Sequence, residues 1–165
     1  MAVLPLVLWP DPGLQTVCDP VAGGDAAGLV RDLFDTLYAS GGRGLAAPQV
    51  GVTRRVFVMD TGWKDGAAEP RAFVDPVIRA VSDRIATGPE GCLSIPGITV
   101  EVARPDWVDL GWTDLDGAAR GARFDGIAAV CVQHEVDHLD GIVTLDRLDP
   151  AARAGAEAAY GGMRA

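Results

Sequence analysis

Hydrophobic positions along the chain change period several times, and each change marks an element. After Asp25, Leu29, Leu33, Phe34 and Leu37 recur at i, i+4, i+5 and i+8, the spacing of one helical face. The pattern predicts a helix capped by Asp25 and running to about Ser40, stopped by the flexible "SGGRG" at 40–44. The middle of the chain then reads as short strands punctuated by glycine and proline: "RRVFVMD" (54–60), "RAFVDP" (71–76) and "VIRAVSDRIATG" (77–88). "GITVEVARP" (97–105) and "DWVDLGWTDLDG" (106–117) are two more, the second ending in a turn at Asp116-Gly117. Helical spacing returns near Asp125-Gly126 and runs to about Asp140, where Gly141 ends it. "DPAARAGAEAAY" reads as a short C-terminal helix and "GGMRA" as a frayed tail from about residue 160. The opening "MAVLPLVLWPDP" lacks a basic start and is broken by Pro5 and Pro10, so it reads as an extended segment packed on the domain. Strands in the middle with helices at the edges give an α+β class with mainly antiparallel sheet. The absence of repeats keeps residues 1–165 as one domain.

Composition narrows the class. With 165 residues, 48% hydrophobic and 22% charged, the chain is globular and large enough for its own core. A net charge of −9 argues against nucleic-acid or anionic-membrane partners. The charge also fits plain solubility. Three cysteines (Cys18, Cys92, Cys131) at no framework spacing argue against a disulfide scaffold and point to a reducing, cytoplasmic setting.

The candidate chemistry lies in three stretches. "VCVQHEVDHLDG" (130–141) holds the only two histidines, His134 and His138, four residues apart on a predicted helix. That spacing puts both imidazoles on one face, able to share one cation. Glu135 between them is placed to take a proton from water activated by such a metal; a helix with a solvated Glu would look the same. Asp137 reads equally as support for an imidazole N–H or as an exposed charge.

A third ligand must come from elsewhere. Cys131 shares the helix face, but three ligands in a row on one helix cannot close around a cation, so it reads better as an apolar wall. Cys92, in the turn-rich "GPEGCLSIPG" (88–97), can approach the helix from outside; taken alone it would pass as a buried loop thiol. In "GRGLAAPQVG" (42–51), Gly42 and Gly44 permit close backbone approach, and Gln49 offers an amide donor. Gln49 and the Leu93 N–H are candidates to stabilise an oxyanion, although a Gly/Ala turn leading into a strand explains this stretch as well.

Together the stretches resemble the peptide deformylases. The motifs stand here as Gly42-Arg43-Gly44-Leu45-Ala46-Ala47-Pro48-Gln49, Glu90-Gly91-Cys92-Leu93-Ser94 and Gln133-His134-Glu135-Val136-Asp137-His138, in the family's order. The similarity runs from "WPDPGLQTVCDPV" to "LDRLDP". The resemblance implies antiparallel sheets around a central helix bearing the histidines. It implies a divalent metal on Cys92, His134 and His138, ferrous in cells, with zinc or nickel possible in preparations. It implies removal of the N-formyl group from the initiator methionine of nascent polypeptides, releasing formate, with Glu135 as acid/base and Gln49 and Leu93 at the oxyanion. Substrate would pair with Gly44 and its neighbours as an added strand and line up beside Gly91. The methionine side chain would sit against Ile127, Val130 and Cys131. A monomer working near the ribosome follows from the same resemblance.

Three features depart from the family pattern. Arg43 replaces an aliphatic residue, and its guanidinium either lines the cleft, favouring acidic or polar substrates, or snorkels to solvent. Thr99 is short where Arg or Tyr is common, and the chain ends without a long C-terminal helix. These leave open a diverged hydrolase of another N-acyl or small amide substrate, or a non-catalytic relative that keeps the metal.

Overall fold

The computed structural model describes residues 2–164 and shows an α+β architecture. Helix α1 (Ala27–Ser40) forms where the periodicity placed it. The Asp25 carboxylate accepts the Ala27 N–H at 2.8 Å, and Gly41, at φ 70°, lets the chain turn out of the helix. Strands β1 (Gly44–Ala46), β2 (Val56–Met59), β3 (Arg71–Val81), β6 (Trp107–Thr113) and β7 (Ala119–Asp125) make one antiparallel sheet in the order β1-β2-β3-β6-β7. A separate two-stranded sheet pairs β4 (Ile85–Cys92) with β5 (Ile95–Pro105).

Strand periodicity explains how the larger sheet takes a helix on each face. All four residues of β2 are buried. Val56 and Val58 join Val30, Leu33 and Leu37 of α1, while Phe57 and Met59 join Ala129, Val132, Val136 and Leu139 of α2 (Gly126–Leu139). Phe57 and Phe73 stack at 4.4 Å between ring centroids in the second cluster; truncating either to Ala would cost about 3–5 kcal/mol. A third cluster, including Leu14, Cys92, Ile95, Leu145 and Tyr160, ties the N-terminal segment and the C-terminal helix to the tip of the β4–β5 hairpin.

Several sequence expectations shift. Residues 71–76 and 77–88 were expected as two strands, but β3 runs through Pro76 to Val81 and the break falls at Ser82. Pro76 is tolerated because the ladder is already interrupted there: Asp75 sits at φ 49° and the register with β6 shifts between Val74 and Val77. Ser82 makes the break by bonding the Arg84 carbonyl and the Asp106 N–H. The stretch 88–97 is a hairpin tip instead of a loop, with Cys92 closing β4 and Leu93-Ser94 as the turn. β1 and β7 were not expected as strands; "ARGARFD" is too polar to signal one, and it pairs with β6 throughout.

The C-terminal helix α3 (Pro150–Arg164) continues through the stretch expected to fray. Tyr160 is buried against Trp9, and Arg164 donates to the Trp9 carbonyl at 2.8 Å, which holds the last turn. Ala165, the rest of that expected tail, and Met1 lie outside the described residues. The N-terminal segment is extended and packed as expected, with Val7 N–H on the Gln49 carbonyl and Trp9 N–H on the Ser94 carbonyl. Among the described residues no helix is long and apolar enough to cross a membrane.

Candidate metal centre and active-site cleft

α2 is buried on nearly all sides, so it can carry polar groups only where neighbouring elements satisfy them. Its sheet-facing side is apolar. The opposite side presents His134 and His138, whose Nε2 atoms lie 3.2 Å apart. The end of β4 brings Cys92 Sγ to 3.3 Å from His138 Nε2, and the three donor atoms lie within 4.8 Å of one another. Three lone-pair donors converging in a largely buried site fit a cation. One thiolate and two imidazoles suit a divalent transition metal with one position open to the cleft. Burial alone would raise the Cys92 thiol, but the imidazoles outweigh it and hold the group well below its ordinary value. Burial likewise lowers His134, and bonds to Cys92 and Glu90 push it well above.

A charged network behind the donors fixes His134. Glu90 accepts from His134 Nδ1 at 3.1 Å, and Arg104 grips the same carboxylate with Nε and with Nη2 at 3.0 Å. Arg104 Nη1 reaches Asp137 at 2.9 Å, and Arg147 closes on Asp137 from the rim. Burial works to raise Glu90, yet its bonds to His134 and Arg104 bring it down to about 2. Asp137 is therefore neither an exposed charge nor a direct imidazole partner; it anchors Arg104. Sequence reasoning missed Arg104 and gave Glu90 no role. The available signal was a lone arginine inside the apolar alternation of "ITVEVARP".

Glu135 is 3% exposed, and among the described residues its Oε2 has no hydrogen-bond partner. Burial raises its carboxyl to about 7. Gly44 lies directly against it: a Cβ there would fall 2.6 Å from Cys131 Sγ and closer still to Glu135 Oε1. Glycine at 44 thus lets β1 approach α2. Gln49 is buried, its Oε1 held by the Ala46 N–H at 2.9 Å, which aims Nε2 at Ser94 Oγ (3.2 Å) and Cys92 Sγ (3.6 Å).

These groups open into one cleft of about 840 Å³. Arg43, Gly44 and Gln49 form one side and Gly91, Cys92 and Leu93 the other, with Ile127, Val130, Cys131, His134 and Glu135 along α2. His138 lies behind, 1% exposed. Cys131 stands among the wall residues; burial and then Glu135 push its thiol well above the ordinary value. Arg43 does not snorkel freely: it donates to the Thr61 carbonyl and pairs with Asp65 at 3.1 Å. Thr99 also borders the cleft.

Residues 3–154 match the family model described as polypeptide deformylase. Peptide deformylase 1 of Corynebacterium glutamicum is 45% identical over 167 residues, covering 100% of this chain and 96% of that protein. The peptide deformylase of Maricaulis maris is 43% identical, covering 93% and 89%. Among solved structures, peptide deformylase from Ehrlichia chaffeensis in complex with actinonin superposes with a TM-score of 0.91 at 34% identity, covering 100% of both chains. The Legionella pneumophila enzyme does so at 0.91 and 33%, covering 99% and 96%.

Proposed function

The chain belongs to the peptide deformylase family, and we propose from that premise how its residues divide the work. It is a metal-dependent hydrolase that removes the N-formyl group from formyl-methionyl peptides and releases formate. Cys92, His134 and His138 would hold the metal, which when bound would supply Lewis acidity to water and to the formyl carbonyl. Glu135 accepts a proton from that water and delivers it to the amide nitrogen as the C–N bond breaks, leaving a free amine and formate. Gln49 Nε2 and the Leu93 N–H donate to the oxygen that gains charge at the formyl carbon. The peptide pairs with the edge of β1 opposite β2 and passes between Gly44 and Gly91. Its methionine side chain rests on Ile127, Val130 and Cys131.

The observation that supports this reading most directly is the shared opening of Glu135, Gln49, Cys92 and His134 into one cleft. The relatives are deformylases, which favours formyl removal over another acyl substrate or a non-catalytic role. Ferrous iron is the cellular metal in this proposal, because a thiolate–imidazole set accepts it, and oxidation of either partner would make the enzyme air-sensitive. The protein works as a one-domain monomer in the cytoplasm, close to the ribosome, without binding nucleic acid or membrane itself. The test is formate release from formyl-Met-Ala peptides by protein loaded anaerobically with iron or nickel. Glu135→Ala should retain its metal and lose about 10²-fold or more in kcat. Activity surviving that change would overturn the assignment.

A further inference from the structure

Beyond the methionine position the space between β4 and α2 does not close. Alternate residues of β4 meet successive turns of α2: Cys92 reaches His138, and Glu90 reaches His134. The next residues in that series are Gly88 and Ala86, and they leave a second cavity of about 590 Å³. Val102 and Trp107 bound it, opposite Ile127 and Val130. It shares Pro89, Glu90, Ile127 and Val130 with the active-site cleft, so the two spaces adjoin along the wall assigned to the methionine side chain. A Cβ built on Gly88 meets no atom within 4 Å. Four charged residues border it: Arg104 spends all three nitrogens on Glu90 and Asp137, Asp106 pairs with Arg84 at 3.3 Å, and Asp125 stands exposed at the rim. Ile127, 57% exposed, stands at the junction as an apolar surface without a partner.

We propose that Gly88 opens the methionine pocket into this second chamber, making it a specificity-determining position that admits N-formyl substrates whose first side chain is longer than methionine. The occupant is the far end of that side chain: Val102, Trp107, Ile127 and Val130 give the chamber apolar walls, it adjoins the active-site cleft, and it lies one step further along α2. The inference rests on the deformylase reading of the cleft. Each added methylene that finds apolar cover gains about fourfold in binding. A side chain two carbons longer therefore keeps or improves its kcat/KM instead of clashing.

The experiment uses metal-loaded full-length protein and formyl-Xaa-Ala-Ser peptides in which Xaa is methionine, 2-aminohexanoyl or 2-aminooctanoyl. The wild-type ratio of kcat/KM, aminooctanoyl over aminohexanoyl, is expected at one or above, with the gain in KM. Gly88→Ile, a β-branched residue suited to a strand, should cut that ratio by about tenfold or more by filling the chamber, and Gly88→Ala by less. A thermal melt confirms that each variant is folded. A wild-type ratio below about one-tenth, or a ratio unchanged in folded Gly88→Ile, would overturn the proposal. Failure to turn over formyl-Met itself would instead strike the deformylase reading.

Discussion

Replacing Arg104 by Met tests whether the metal site depends on charges that never touch the metal. The arginine is 5% exposed, and its partners Glu90 and Asp137 are equally enclosed. Methionine fills much of the volume but leaves Glu90 in a low-dielectric setting with only His134 opposite; Asp137 keeps Arg147. Breaking a buried pair from one side costs about 3–5 kcal/mol, and loosening a ligand's supporting bond costs about 10- to 100-fold in metal affinity. The pH dependence carries a second signature. Glu90 is held at about 2 in the fold, below its ordinary value of 4.5, so its contribution to stability is present above pH 4.5 and is lost as pH falls towards 2. Without Arg104 that acid limb should move to higher pH. Urea denaturation of metal-free protein between pH 3 and 7, with chelator competition for the metal, measures both effects. Glu90→Gln on the Arg104→Met background should recover much of the stability, because the stranded charge is gone. A loss below about 1 kcal/mol with metal affinity unchanged would refute the network's role.

Three further outcomes follow from the site. Gly44→Ala drives a methyl group into the Glu135 carboxylate, and a displacement near 1 Å there should lower kcat by about 10²-fold in the formate assay. Glu135 is raised to about 7 in the fold, so the native state binds the extra proton and stability falls as pH rises from 4.5 through 7. Glu135→Gln should accordingly melt higher than wild type at pH 8 as metal-free protein. Arg43→Leu removes a guanidinium already engaged by Thr61 and Asp65, so stability should change by less than about 1 kcal/mol. The preference between formyl-Met-Ala and formyl-Met-Glu peptides should stay within about threefold, and a larger shift would show that Arg43 reads the substrate.

The gathering of Cys92, His134 and His138 was legible because a cation site needs particular side chains at particular spacings. Two imidazoles four apart called for a third ligand from Cys, Asp or Glu, and Cys18, whose N-terminal segment offers no polar company, gave way to Cys92. Its setting was misread: the Gly/Pro-rich surroundings suggested a loop, whereas the ladder from Ile85–Pro105 to Glu90–Val100 carries β4 nearly to the thiol. Arg104 and Glu90 escaped because the one sequence signal, an arginine inside an apolar alternation, does not say which carboxylates it meets; the partners show only when the strands and α2 are side by side. The continuous β3 was hidden by Pro76, whose missing N–H matters only if the ladder needs it. The register shift between Val74 and Val77 removes that need, and the Asp75 carboxylate at the bulge accepts from the N–H groups of Val21 and Ala22. β7 illustrates the opposite failure, a strand made of arginines and alanines whose pairing is tertiary.

The two sheets share no ladder, and that has a mechanical result. Cys92 belongs to the hairpin, whereas Gly44 belongs to the larger sheet. The width of the gap between them is set by side chains and by the two backbone bonds of the N-terminal strap, at Val7 and Trp9. Moving the hairpin against α2 would cost no strand–strand bond, but it would break the Glu90–His134 and Arg104–Asp137 bonds. In hydrogen exchange its amides should protect and open together, as one foldon distinct from the five-stranded sheet. A peptide lying along β1 would then bridge two bodies, and its arrival would stiffen the enzyme across the seam.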